Sequence, residues 1–463
     1  MGDGSQQSRQ REAGGRGLSP GWGRPLRSIL ENLGIMASRT RREVASLQRP
    51  ASKTILRQRD NPKQSSQEHG TVIQRLRIKN YKGIRDVSIE IGTTHALIGP
   101  NDSGKTSILQ AVAALCRSVD HELARAFVGA WEGRDLAWRG QDVPVTLGAS
   151  LSDEKGAFEY DLVCRFGPSH KNVHTEREEI RESGPSGRVH PLTPGSNQSM
   201  VCHNHPSSAG TDDVAAARRV HNALSGVQFC RWNPRFLALP VAPQEQQRFW
   251  MDPSGFGLAL LLEDILGENR SLFEKIEDRF RRFFPHVKSI RLQREPGFTA
   301  PSEYNQELPE LRHAAGKGLH FEFSTGQVVR ASQVSDGVLL VLGYLTILHL
   351  PKPPRVVLVE EPENGVHPKR LRDVLNILRE LASEQGHSQV LLTTPSPYVV
   401  DLFKPNEVSL CRLGSDGSVS VTRLSDSNVV LSQLDIFTLG EIWTAEGDEE
   451  LVDKSPSAES TSD

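Results

Sequence analysis

Two stretches of this 463-residue chain carry residue types that could do phosphate chemistry. The first is GPNDSGKT at residues 99–106, with the spacing GxxxxGKT. A nucleotide's phosphates are held by bare backbone N–H groups at a helix N-terminus, where the aligned peptide dipoles favour negative charge. Gly99 and Gly104 let the backbone come close to such a ligand, Pro100, Asn101, Asp102 and Ser103 fill the loop between them, and Ser107 follows it. Lys105 supplies a mobile ammonium for the β- and γ-phosphates, and the Thr106 hydroxyl is placed to ligate Mg2+. The second stretch is VVLVEEPE, an apolar run closed by Glu360 and Glu361. Carboxylates at the end of a buried strand are costly unless something cationic meets them. With a phosphate loop in the same chain they read as a Walker B pair, Glu360 toward the magnesium and Glu361 toward the attacking water.

Strands and helices must hold these groups together. Ala96, Leu97 and Ile98 predict a strand that delivers the loop, and SILQAVAAL predicts a helix leaving it with Ile108, Leu109, Val112 and Leu115 on one face. Before that strand, Leu76 and Ile78, then Val87, Ile89 and Ile91, alternate with polar residues, so two half-buried strands are expected with a turn at Lys82 and Gly83. Further strands are expected at 143–152, 158–166, 287–292, 320–329, 356–359 and 389–392. A helical pattern runs over 256–284 and ends at Pro285, and an apolar helix over 338–350 follows the turn Ser335-Asp336-Gly337. Residues 167–213 are polar and rich in Pro, Gly and Ser, which predicts a flexible insertion. Cys202, His203 and His205 lie in it, with His190 as a fourth candidate ligand, and the spacing assigns no zinc site. The implied fold class is α/β, a mixed sheet with a helical lid subdomain at about 214–285.

Composition describes a globular chain with extra polar segments: 37% hydrophobic, 24% charged, net charge −2. That balance singles out no partner. Five cysteines, Cys116, Cys164, Cys202, Cys230 and Cys411, form no CxxC pair, which predicts a reducing, cytoplasmic setting. No apolar run reaches the ~18 residues of a membrane span. Residues 1–70 hold 11 Arg and 2 Lys against 6 acidic residues without sustained periodicity, and read as a disordered basic tail that could serve as an arm for nucleic acid, or as a start placed upstream of one such as Met36. Residues 446–463 read as an acidic tail.

Taken together, GPNDSGKT, VSDG before a helix, VLVEEPENGVHP and LLTTPSPYVVDLF resemble the ABC-type ATPases of the RecF, SMC and OLD group, especially the stand-alone AAA-family ATPases of bacteria, over residues 71–445. The resemblance implies an ABC-ATPase head that binds ATP and Mg2+ and works as a homodimer. Ser335, Asp336 and Gly337 of one subunit would be the signature that meets the γ-phosphate held by Lys105 of the other. Residues 364–367 would form a D-loop at that contact, and Gln141 is a positional candidate for the Q-loop glutamine. A histidine usually follows Thr394 in this group and senses the γ-phosphate; here Pro395 stands between Thr394 and Ser396. Losing one such contact costs roughly 2.7–4 kcal/mol, so slow turnover, or Ser396 standing in, is expected. No heptad run occupies the 230 positions from Lys105 to Ser335, unlike the SMC proteins, and the 66 residues after Pro397 are expected to hold no nuclease domain of the OLD kind. The resemblance implies ATP hydrolysis in DNA repair or anti-phage defence, with DNA as a candidate partner. The alternative is a weakly hydrolysing, ATP-gated scaffold that recruits a separate effector protein; a transporter ATPase is the third and weakest option.

Overall fold

The loop at residues 99–106 leaves the central strand of a sheet that is buried on both faces, in a computed structural model described for residues 73–452 except 128–132, 169–171, 184–186, 188, 193–196, 204–211, 244–247, 300–310 and 384–387. The chain begins with β1 (Ile73–Tyr81) and β2 (Ile84–Glu90), a hairpin turning at Lys82 and Gly83, and then β3 (Thr94–Ile98). β4 (Val145–Asp153), β5 (Gly156–Phe166), β6 (Val173–Glu182) and β7 (Val189–Leu192) extend the hairpin into an antiparallel sheet of order β2-β1-β4-β5-β6-β7. Next come β8 (Val227–Cys230), then β9 (Val287–Phe298), β10 (Leu311–Phe323) and β11 (Val328–Arg330), which form a separate antiparallel sheet. Last are β12 (Val356–Glu360), β13 (Gln389–Thr394), β14 (Val408–Leu413) and β15 (Val419–Arg423). With β3 and β8 they build the central sheet, β15-β14-β3-β13-β12-β8, parallel except for the β14–β15 pair.

Burial on both faces explains the apolar runs Ala96–Ile98 in β3, Val356–Val359 in β12 and Val390–Leu392 in β13. Alternate residues serve two cores. Leu97, Val356, Leu358 and Leu391 pack with Ile108, Leu109, Val112 and Leu115 of the helix after the loop, Lys105–Ser118, and with the antiparallel sheet. Ala96, Ile98, Val357, Val359, Val390 and Leu392 face the opposite way, onto the helices Asp336–Leu348 and Pro368–Ser383. The result is an α/β fold with a mixed central sheet.

Four expectations need correction. Residues 167–213 are not only an insertion: β6 and β7 lie there and complete one sheet. In β6, VHTEREEIRE, the solvent-facing charges mask a buried set, Val173, Thr175, Glu178 and Ile180. Buried Glu178 accepts from Tyr160 Oη at 2.8 Å, Ser199 Oγ at 2.7 Å and the Met200 N–H at 2.8 Å, and those three donors offset the cost of its burial. The pattern at 256–284 is two helices, Leu258–Glu268 and Arg270–Phe283, because Asn269 breaks the run and caps the second through Ser271 N at 3.1 Å. The intended lid also contains β8, which pairs with β12 in the central sheet. The acidic tail does not begin at 446: the helical segment Leu439–Glu450 continues past a kink at Gly447, Trp443 Nε1 donates to Asp448 Oδ1 at 2.7 Å, and Leu451 is buried. Residues 1–70 lie outside the described residues, and so do 453–463.

Candidate nucleotide site

The turn from β3 into its helix is built on two backbone conformations that need glycine. Gly99 has φ 136° and Gly104 φ 89°, both in the left-handed range. A Cβ on Gly99 would stand 2.2 Å from the Cys411 carbonyl oxygen, and one on Gly104 2.4 Å from Val419 Cγ2. Asn101 and Asp102 are exposed at the loop tip, whereas Ser103 is buried. Lys105 is 5% exposed, and its Nζ folds back to donate to the carbonyls of Gly99 at 2.8 Å and Pro100 at 2.6 Å. Burial pushes its pKa down. Its ammonium therefore rests on acceptors that an incoming phosphate can replace.

One residue further, the Thr106 hydroxyl donates to Glu360 Oε1, closing the gap between the helix start and the end of β12. The other carboxylate oxygen, Oε2, is buried with no hydrogen-bond partner, although Arg231 Nε lies 3.1 Å away as an ion pair. An orphaned carboxylate oxygen beside a hydroxyl suits a hard, oxygen-loving divalent cation, so Thr106 and Glu360 fit Mg2+. Glu361 takes φ 47°, which turns its side chain out of the strand. It accepts from Asn364 Nδ2 at 2.6 Å. Glu363, which the sequence reading left without a role, accepts from the Thr394 hydroxyl, and Thr394 Oγ1 accepts from the Ser396 N–H at 2.9 Å. Desolvation, partly opposed by the Thr394 bond, raises the Glu363 pKa, and its Oε2 is also buried without a partner. Pro395 is exposed between these groups.

A cleft of about 860 Å³ is lined by residues 101–107 on one side and by Glu360, Glu361 and Asn364 on another, a volume in the range of small-molecule sites. Arg231, Trp232, Asn233 and Pro234, which follow β8, complete it. None of those four was expected. Gln141 is not there; it lines a different hollow with Arg85, Trp138 and Asp416. Ser335 and Gly337 border a neighbouring hollow of about 670 Å³ with His367, Lys369 and Arg370, and Asp336 borders both. Ser335 and Asp336 are exposed at the start of the helix Asp336–Leu348, and Ser335 makes no side-chain cap bond. Elsewhere, His190 Nδ1 is engaged with Asp213 at 2.6 Å, and His205 lies outside the described residues. Among the described residues no helix is long and apolar enough to cross a membrane.

Two family models match this chain. Residues 72–182 match "AAA ATPase domain", and residues 255–401 match "AAA domain, putative AbiEii toxin, Type IV TA system". The chain is 22% identical over 404 residues to the OLD nuclease of Thermus scotoductus, covering 80% of this chain and 68% of that protein. Similar solved chains include an SMC head bound to the C-winged helix domain of ScpA, at 17% identity and TM-score 0.46, covering 76% of this chain and 97% of that one. The SMC head domain from Thermotoga maritima has 11% identity and TM-score 0.38, covering 76% and 98%. The Smc head domain with an extended coiled coil, bound to the C-terminal domain of ScpA derived from Pyrococcus furiosus, has 14% identity and TM-score 0.45, covering 78% and 99%.

Proposed function

We propose that the chain is an ABC-type ATPase of the RecF, SMC and OLD-like kind, a reading that the two AAA matches and the OLD relative support, and that it binds and hydrolyses ATP with Mg2+ in this cleft as an ATP-bridged homodimer. The observation that carries this reading is the meeting of Thr106 and Glu360, 254 positions apart, at one end of the central sheet. Lys105 turns from the loop carbonyls to the β- and γ-phosphates. Thr106 and Glu360 hold the cation, which neutralises phosphate charge when bound. Glu361 orients the attacking water and takes its proton as the water oxygen bonds the γ-phosphorus, while the bond from that phosphorus to the β,γ-bridging oxygen breaks and ADP leaves with its electron pair. Ser335, which is exposed, and half-buried Gly337 border a hollow of their own and face the nucleotide of a second copy. DNA repair or anti-phage defence is the setting this reading assigns, with DNA and a separate effector protein as partners, in a cytoplasmic location.

Pro395 favours one second reading. With no side-chain donor at that position the chain is a slow hydrolase, or a scaffold switched by ATP binding alone. Wild-type turnover, measured with and without DNA, separates the two. The dimer is tested with Glu361→Gln, which is expected to bind Mg2+–ATP, lose turnover and accumulate as a dimer in light scattering. A variant that binds ATP and stays monomeric refutes the sandwich.

A further inference from the structure

The register of two parallel strands places a guanidinium against the cation site. β8 pairs with β12 so that Cys230 lies opposite Val359, and the next residues in each strand direction are Arg231 and Glu360. Arg231 Nε stands 3.1 Å from Glu360 Oε2; its side chain is 63% exposed, while that of Glu360 is 9% exposed. The backbone beneath is fixed. The Arg231 N–H donates to the Pro253 carbonyl at 2.8 Å, the Asn233 N–H to that of Ser254 at 2.8 Å, and the Trp232 ring lies tilted against that of Tyr344 with centroids 4.5 Å apart. The arginine side chain itself is 63% exposed and has room to swing away from Glu360.

We propose that Arg231 is a γ-phosphate-reading residue, held by Glu360 while the cleft is empty and released to the phosphates when a divalent cation takes that carboxylate. The inference rests on the ATPase reading above. A guanidinium and a divalent cation cannot share one carboxylate without like-charge repulsion, so filling the cation site expels Arg231. It is expelled into the phosphate cleft, which it already lines. Lys82 marks the same electropositive region, since burial, and then the Arg231 charge, lower its pKa to about 8. An arriving polyphosphate relieves that repulsion, and the terminal phosphate gains a planar, doubly donating partner. Arg231 thus supplies the cationic contact that Pro395 cannot make.

The test compares ATP and ADP affinity of the full chain with Mg2+, by calorimetry, for wild type, Arg231→Ala and Arg231→Lys, with thermal melts as controls. Arg231→Ala is expected to weaken ATP about 10- to 100-fold while ADP changes by less than about threefold, collapsing the preference for the triphosphate. Arg231→Lys keeps a charge and retains most of that preference. Equal weakening of ATP and ADP, or no change, in a folded Arg231→Ala overturns the proposal and leaves the ATPase reading standing. If Arg231→Ala does not fold, loss of the preference in Arg231→Gln supports the proposal, and its retention overturns it. Wild-type protein that binds neither nucleotide overturns the ATPase reading itself, and this inference with it.

Discussion

Replacing Lys105 by alanine separates nucleotide binding from everything else the loop does. Its Nζ donates to the carbonyls of Gly99 and Pro100 and, at 3.5 Å, to Ser103 Oγ, and the residue is 5% exposed. Its removal costs the folded protein those bonds but also ends the burial of an ammonium, whose pKa desolvation already lowers. The two effects oppose one another, each about 1–3 kcal/mol, so the melting temperature should move by only a few degrees. Binding has no such offset. A charge-assisted contact to phosphate contributes about 1.5–3 kcal/mol, so the ATP dissociation constant should rise roughly 10- to 150-fold. Calorimetric titration of ATP into Lys105→Ala measures this, with far-UV melting as the control for folding. A folded variant with wild-type ATP affinity would falsify the placement of phosphate in this loop.

Two further outcomes follow from packing and from charge. Gly343→Ala sets a Cβ 2.7 Å from Trp232 Cζ3 and is expected to cost about 1–3 kcal/mol in urea unfolding, because the indole that anchors the strand end must shift; unchanged stability means it yields freely. Desolvation raises the folded pKa of Glu363, so its contribution to stability is present below the ordinary glutamate value of 4.5 and is lost as pH rises through the raised value. Glu363→Gln lacks that loss, so the stability of the variant relative to wild type should increase as pH rises from below 4.5. A difference that stays constant as pH is raised from below 4.5 to neutrality rules out an elevated pKa. Asp161 and Asp252 are raised as well, but they are common to both proteins and cancel in the comparison.

The parts of the fold legible in the sequence are those where one physical demand acts on consecutive residues. β3, β12 and β13 are buried on both faces, so each carries a run of three or four consecutive apolar residues, and the strands were predicted within two residues of their observed ends. The turn from β3 into its helix was legible for a related reason: two left-handed positions ahead of a helix start call for Gly99 and Gly104 at fixed spacing. β6 was not legible because half of its residues face solvent and carry charge, and the buried half includes Glu178, an acid whose three partners come from β5 and from residues 199–200. Nothing local to VHTEREEIRE announces those partners.

Arg231 escaped for a different reason, and so did the role of Glu363. A cleft residue such as Arg231 is placed by strand register, here the pairing of Cys230 with Val359 across 129 positions, and register is a tertiary fact. The only signal available was a short apolar run, VQFC, ending before an Asn-Pro turn. Glu363 was in view, yet its partner Thr394 ends β13 and reaches it only because β12 and β13 are adjacent and parallel. Pro395 then acquires a structural meaning beyond a missing histidine. Proline offers no N–H, so the first backbone donor after β13 is that of Ser396, and it bonds Thr394 Oγ1. The Thr394 hydroxyl proton is thereby directed to Glu363. A donor at 395 would compete for the same oxygen, so the proline and the buried carboxylate belong to one arrangement, built on residues that no single motif contains.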